Sequence, residues 1–210
     1  ADLRRLIFPL IVEQILAVSV GMVDTMMVSS VGEAATSGVS LVDMVNTLFI
    51  NIFAAVATGG AVVSSQYLGQ KRQDRACQSA DQLLIITGIL SLAIMAVCIV
   101  FRREFLSLLY RGVAEDVMRN ARTYLVISAV SYPFLSVYNS CAALFRSMGN
   151  SKISMQASII MNMINVIGDS IFIFIFRWGV AGAALASLIS RMAACFILLL
   201  RLRNRNLDIH

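Results

Sequence analysis

The chain has 210 residues, of which 59% are hydrophobic and only 14% are charged, with a formal net charge of +5. Ordinary soluble domains carry roughly 45–50% apolar and about 25% charged residues, so this composition is typical of a membrane protein and not of a soluble one. The Lys and Arg residues flank apolar runs instead of forming one basic face, which argues against a nucleic-acid partner.

Six apolar segments are long enough to cross a bilayer, since a spanning helix needs about 20 mainly apolar residues. In chain order, these segments are residues 6–28, 39–67, 83–101, 124–145, 153–176 and 180–202. Backbone groups in lipid must find their hydrogen-bond partners within the segment, so each segment is predicted to be a helix. The predicted fold is therefore all-α, a polytopic integral membrane bundle of six transmembrane helices that forms one lobe over residues 1–210.

The longest connection, residues 102–122, mixes charged and apolar residues at helical spacing. This pattern predicts an amphipathic helix at the membrane interface. An even number of spans places both termini on one side of the bilayer. Lys and Arg are more frequent in the terminal segments, which include Arg4, Arg5 and Arg205, and in the second-to-third and fourth-to-fifth connections than in the others. The bias favours cytoplasmic termini in a cell membrane, either plasma or inner membrane.

Ionisable side chains interrupt several of the apolar segments. A charge at the centre of a spanning helix costs roughly 2.5–3.5 kcal/mol, so such a residue usually faces a cavity or a partner. Glu13 and Asp43 lie near the ends of their predicted spans, where solvation at the interface accounts for them. Arg191 lies near mid-bilayer, and three alternatives are open for it: a pair with Asp24, a pair with Asp169, or snorkelling towards the interface.

Three polar side chains fall at nearly one depth if the termini are cytoplasmic. Asp169 lies seven residues before the outer end of the fifth span, and Ser187 lies seven residues after the outer start of the sixth. At about 1.5 Å of rise per residue these positions are level, and Asp24 on the first span lies close to the same depth. The fifth span also carries a polar stripe along one face, because its members are three or four residues apart: Ser158, Asn162, Asn165 and Asp169.

Two carboxylates with amide and hydroxyl oxygens describe either a site for a hard cation such as Na⁺ or a carboxylate pair that shares a proton. A different interpretation is that the stripe joins helices through hydrogen bonds, as in a membrane scaffold that transports nothing. An enzyme is not indicated, because the only histidine is the last residue and the sequence has no close Cys pair and no Gly-flanked serine nucleophile motif. No cofactor is expected.

Five stretches of sequence follow one another in a distinctive order and spacing. They are VDTMMVSSVGEAATSGV (23–39), SQYLGQKRQDRA (65–76), FRSMGNSK (145–152), NVIGDSIFIF (165–174) and WGVAGAALAS (178–187). Together they resemble the multidrug and toxic compound extrusion (MATE) transporters over nearly the whole chain. The resemblance implies an antiporter that exports drug-like, often cationic compounds in exchange for Na⁺ or H⁺.

The resemblance also implies a cation site. In one branch of that family the N-terminal lobe binds the cation through an aspartate on the first helix, an Asn-x-x-x-Asp on the fifth and a hydroxyl on the sixth. The matching positions here are the set that the depth argument selects: Asp24, Asn165, Asp169 and Ser187.

Three further residues are candidates for lining or modulating the cleft. Asn139 on the fourth span matches a further polar contributor of the family, and Asn162 belongs to the polar stripe. Arg191 stands where the family more often has an uncharged polar residue. A fixed positive charge there is expected to weaken Na⁺ binding and to favour a proton mechanism.

Family members have twelve spans in two six-helix lobes, and this chain resembles the first lobe alone. Substrate in such transporters binds between repeats, so the expected partners are the lipid bilayer, small-molecule substrates and a second six-helix lobe. The chain is expected to be a fragment, the product of a split gene or a half-transporter that pairs with itself. An alternative cargo is a lipid-linked glycan, although such flippases usually carry several basic cleft residues and only Arg191 and Arg146 are available here.

Overall fold

The computed structural model describes the backbone of residues 2–203 and 209, and the side chains of residues 7–203 and 209. The side chains of Arg4, Arg5 and Arg205, which contribute to the predicted orientation, lie outside these ranges. The helices are α1 (Asp2–Ser29), α2 (Glu33–Gly69), α3 (Gln73–Val100), α4 (Arg102–Leu109), α5 (Glu115–Ser147), α6 (Ser151–Asp169, continued by a π-helical turn Ser170–Ile175) and α7 (Gly179–Leu202).

Six of these helices are long and apolar enough to cross a bilayer, and only the short α4 is not. Their outward faces carry large apolar side chains that no other helix covers. Met26 is 70% exposed, Ile89 is 64% exposed and Leu200 is 70% exposed. Contiguous apolar surface of this kind is suited to lipid. The prediction of an all-α bundle with six membrane-spanning helices is confirmed.

The predicted interfacial helix differs from the observed structure. Residues 102–122 contain α4, a turn, and the first turns of α5. Gly112 lies in that turn, three residues after the end of α4, with φ 83°, a left-handed conformation that glycine adopts at little cost. Glu115 and Asp116 then begin α5, where acidic side chains interact favourably with the positive end of the helix dipole.

Helix α5 lies at the centre of the bundle, where it packs against α2, α3 and α7. Its Tyr132 is fully buried, and the Tyr132 ring lies 5.9 Å from the ring of Phe53 on α2, which is also fully buried. Helix α1 lies at the periphery and packs mainly against α6. Helix α6 packs against both α1 and α7.

A short connection holds α6 and α7 in tight register. Arg177 and Gly179 both adopt positive φ, at 55° and 56°, and Trp178 stacks on Phe172 with ring centroids 5.4 Å apart. The two helices approach so closely that a Cβ added at Gly168 would lie 2.9 Å from the Cβ of Ala186. This contact sets the distance between the polar residues of α6 and those of α7.

Candidate cation site and cleft

The structure brings together the four residues that the sequence selects as a cation site. The carboxyl groups of Asp24 on α1 and Asp169 on α6 lie close enough to interact directly. One turn earlier on α6, the side-chain amide of Asn165 donates a hydrogen bond to Oγ of Ser187 on α7 at 3.2 Å. The two pairs join α6 to α1 and to α7, and their role as cation ligands stays a prediction.

Asp169 is the most deeply buried member of this group. Its side chain is 1% exposed, and neither of its carboxylate oxygens has a hydrogen-bond partner among the described residues. Oδ1 of Asp24 is also buried without a partner there. Buried polar atoms in folded proteins nearly always have partners, and leaving an ionised one without any costs several kcal/mol. A proton shared between the two carboxyl groups, or a cation bound between them, would supply what is missing.

The backbone next to Asp169 is irregular. This residue ends the regular part of α6, and the π-helical turn Ser170–Ile175 follows at once. π-turns inserted in α-helices are rare and occur often at functional sites. Asp169 therefore lies at the junction between the regular α-helix and the wider turn.

A large cavity of about 880 Å³ opens beside this site, between α1, α2, α5, α6 and α7. Its volume lies within the range of sites that bind drug-sized molecules. The candidate cleft residues Asn139, Asn162 and Arg191 all line it, as do three of the four cation-site residues: Asp24, Asn165 and Ser187. Asp169 does not line the cavity, so Asp24 separates it from the open space.

Glu13 takes part in a polar cluster instead of being solvated at the interface as expected. It lies 3.7 Å from Nη1 of Arg146 on α5, and both of its carboxylate oxygens accept from Oγ of Ser154 on α6 at 3.2 Å. Its side chain is only 17% exposed. The signal in the sequence was a pair of opposite charges near the predicted inner ends of the first and fourth spans.

Arg191 pairs with neither of the aspartates considered from the sequence. Nη1 of Arg191 donates to Oγ of Ser131 on α5 at 2.6 Å, and no carboxylate of the described residues lies within 4.0 Å of the guanidinium. The side chain therefore bonds the neighbouring central helix rather than snorkelling to the interface. Ser131 was missed from the sequence because it is one of several serines in α5, and nothing in the sequence distinguishes it from the others.

Asp43 lies well inside α2, which begins ten residues earlier at Glu33. Its Oδ1 accepts from the amide of Asn46 at 3.3 Å, and Oδ1 of Asn46 in turn accepts from the hydroxyl of Tyr132 at 2.6 Å. Asp43 also lines a small cavity of about 80 Å³ on the side of Asp24 away from the cleft. It takes part in a hydrogen-bonded chain and is exposed at the surface of the described residues, so the expectation that it is solvated is not contradicted.

The MatE family model matches residues 9–171 of this chain. The chain belongs to the MatE family. Two curated relatives come from Bacillus subtilis (strain 168). The uncharacterized transporter YisQ is 29% identical, and the match covers 97% of this chain and 45% of YisQ. The probable multidrug resistance protein YoeA is 27% identical, and the match covers 94% of this chain and 43% of YoeA.

A solved structure agrees on the fold. An outward-facing multidrug resistance MATE family transporter of the MOP superfamily superposes with a TM-score of 0.92 at 21% identity, covering 100% of this chain and 47% of that one. The MatE chain thus spans about half the length of the proteins that it matches, which leaves room in them for a second lobe of similar size. The coupling role of the four site residues stays a prediction.

Proposed function

We propose that this chain is one six-helix lobe of a cation-coupled antiporter that exports drug-like compounds. H⁺ or Na⁺ binds between Asp24 and Asp169, with oxygens of Asn165 and Ser187 completing the site. The observation that carries the proposal is Asp169, a buried carboxylate whose two oxygens have no partner among the described residues and which faces a second carboxylate.

The relation between the site and the cleft supports exchange. Asp24 contacts Asp169 on one side and lines the 880 Å³ cavity on the other, so a cation at the carboxylate pair changes the charge that a compound in the cavity meets. Antiport requires that cation and compound oppose each other's binding, and two positive charges near one carboxylate do so by direct repulsion. A second six-helix lobe supplies the opposite wall of the cleft. Both termini face the cytoplasm in this proposal.

Two alternatives receive less support. A transporter of lipid-linked glycans would hold its anionic cargo with several basic residues, yet Arg146 is already paired with Glu13. Only Arg191 is left in the cleft for that task. A scaffold that transports nothing would use the polar stripe to join helices, which fits Asn165 with its bond to Ser187 but not the unpartnered Asp169.

The test is cation binding by the purified chain in lipid nanodiscs, which needs no second lobe. Radioactive Na⁺ binding measures one candidate ion, and infrared difference spectroscopy of the protonated carboxyl band measures the other. Asp24→Asn and Asp169→Asn are each expected to abolish the signal or to weaken it at least about ten-fold, because each removes one of two facing carboxylates. Asp74→Asn, an exposed aspartate at the start of α3, is the matched control.

The two ions give different signatures. Saturable Na⁺ binding that both Asn variants lose identifies Na⁺ as the ion. A carboxyl band that titrates in the wild type and disappears in the variants identifies H⁺. If the Asp24→Asn and Asp169→Asn variants behave like Asp74→Asn in both measurements, the proposed coupling site is wrong.

A further inference from the structure

The charges that line the cleft are not all available to a bound compound. Four charged side chains face the 880 Å³ cavity: Glu13, Asp24, Arg146 and Arg191. Glu13 and Arg146 form an ion pair with each other at 3.7 Å. In the described part of the chain, Asp24 and Arg191 have no ion-pair partner within 4.0 Å. The cleft therefore offers one negative and one positive group to a ligand.

Arg191 is positioned to use its charge. It lies one turn, about 6 Å along the axis, beyond Ser187 of the candidate cation site. Its bond to Oγ of Ser131 fixes the guanidinium but occupies only one of its five N–H donors. Asp43 interacts with Arg191 only over a longer range from the α2 side. A planar guanidinium with free donors is the protein group best matched to a carboxylate.

The same cavity contains further unused donors. The side-chain amide nitrogens of Asn139 on α5 and Asn162 on α6 are buried, and neither has a hydrogen-bond partner among the described residues. Both residues line the cavity with Arg191. Buried donors without partners cost free energy, which leaves both amides with unused hydrogen-bonding capacity. Asn139, Asn162 and Arg191 come from three different helices, but the two amide nitrogens are themselves buried, so Arg191 is the donor that the inference uses.

We propose that the cleft binds zwitterionic compounds, with a carboxylate on Arg191 and a cationic group at Asp24. The inference rests on the proposed export function and names the class of compound. The cationic group competes with the coupling ion at Asp24, which preserves exchange. The carboxylate determines which cations are accepted, because a compound without it leaves Arg191 unpaired and meets its positive charge.

Two dyes that differ in one group test this inference on the full chain in nanodiscs. One is a rhodamine with a free carboxylate, which is zwitterionic, and the other is its methyl ester, which is only cationic. The wild type is expected to prefer the acid. Arg191→Gln is expected to weaken binding of the acid about ten-fold and to strengthen binding of the ester, because the variant loses a hydrogen-bonded charge pair with one dye and a repulsion with the other.

Three further variants make the result specific. Arg191→Lys keeps the charge and is expected to keep the preference for the acid. Asp24→Asn is expected to weaken both dyes, since both carry the cationic group. Arg201→Gln, at an exposed arginine near the end of the same helix, is the matched control and leaves both dyes unchanged.

The outcomes separate this inference from the proposed function. If the wild type binds only the ester, or if Arg191→Gln shifts both dyes in the same direction, the zwitterion inference is wrong while drug binding by the cleft stands. If the wild type binds neither dye, the zwitterion inference is overturned, while the proposed export function is judged by the cation-binding test, which needs no second lobe.

Discussion

The contact between Gly168 and Ala186 gives the sharpest test of how packing controls the candidate site. Gly168→Ala adds one methyl group to α6 at the point where α7 lies closest. The new Cβ would lie 2.9 Å from Cβ of Ala186 and 3.3 Å from its Cα. Ordinary van der Waals contact begins at 3.4 Å, so the helices must separate by about 0.5 Å.

The consequence for the site follows from the geometry. Asn165 lies one turn from Gly168 on the same face of α6, and its amide bonds Oγ of Ser187 at 3.2 Å. If the separation is transmitted in full, this distance becomes about 3.7 Å, which is too long for a hydrogen bond. Overpacking of this kind also costs about 1–3 kcal/mol of stability. Gly168→Ala is therefore expected to weaken cation binding and to lower the unfolding temperature together.

The assay is cation binding and thermal unfolding of the chain in nanodiscs. Gly88→Ala on α3 is the matched control, because a Cβ there meets no heavy atom within 4 Å. That variant is expected to leave cation binding unchanged and to stabilise the chain by about 0.5–1 kcal/mol through reduced backbone entropy. The comparison isolates the contact from the general effect of replacing a helical glycine.

A second substitution makes the reasoning refutable. Ala186→Gly, introduced into Gly168→Ala, removes the methyl group that the new Cβ meets and is expected to restore most of the lost affinity. Such recovery is an interaction energy between two sites, which only a direct contact explains. Normal cation binding by Gly168→Ala alone would refute the argument. Failure of the double variant to recover would show that the effect does not pass through this contact.

Two further predictions concern the buried polar contacts. Tyr132→Phe removes the hydroxyl that donates to Asn46 and leaves a buried acceptor unpaired. The variant is expected to lose about 1–3 kcal/mol of stability, measured by thermal unfolding, and an unchanged unfolding temperature would contradict this. Glu13→Gln removes the charge that pairs with Arg146, which at a partly exposed site is expected to cost about 1 kcal/mol or less. Hydrogen exchange in the first half of α1 is expected to be faster in that variant, and unchanged exchange would mean that packing on α6 alone holds α1.

The helices and the level of the site could be predicted from the sequence because both depend on regular spacing. Apolar runs of sufficient length give the spans, and a constant rise per residue converts positions in the sequence into depth. Asp24 and Asp169 lie on different helices, and their carboxyl groups still come close to each other, as the depth argument predicts. The prediction needed only the direction of each span and the length of each connection.

The partners of Glu13 and Arg191 could not be predicted in the same way. Depth places a side chain at a level, but the choice between neighbours at that level depends on how each helix is rotated and tilted. Arg191 thus bonds Ser131 of the central helix rather than either aspartate. The break between α4 and α5 was missed for a local reason, because amphipathic spacing continues across Gly112 while the backbone does not.

The interpretation of the polar stripe as a means of joining helices applies to part of α6 only. It holds at Asn165, whose amide bonds α7. This interpretation does not account for Asp169, one turn later, because an asparagine at that position would join the helices at lower cost in free energy. A buried carboxylate without partners among the described residues destabilises the fold unless something binds to it. The group that faces Asp169 is a second carboxyl group, that of Asp24, which can donate a hydrogen bond only when it carries a proton. A proton or a cation would supply the missing partner, and this is why we propose the pair as the coupling site.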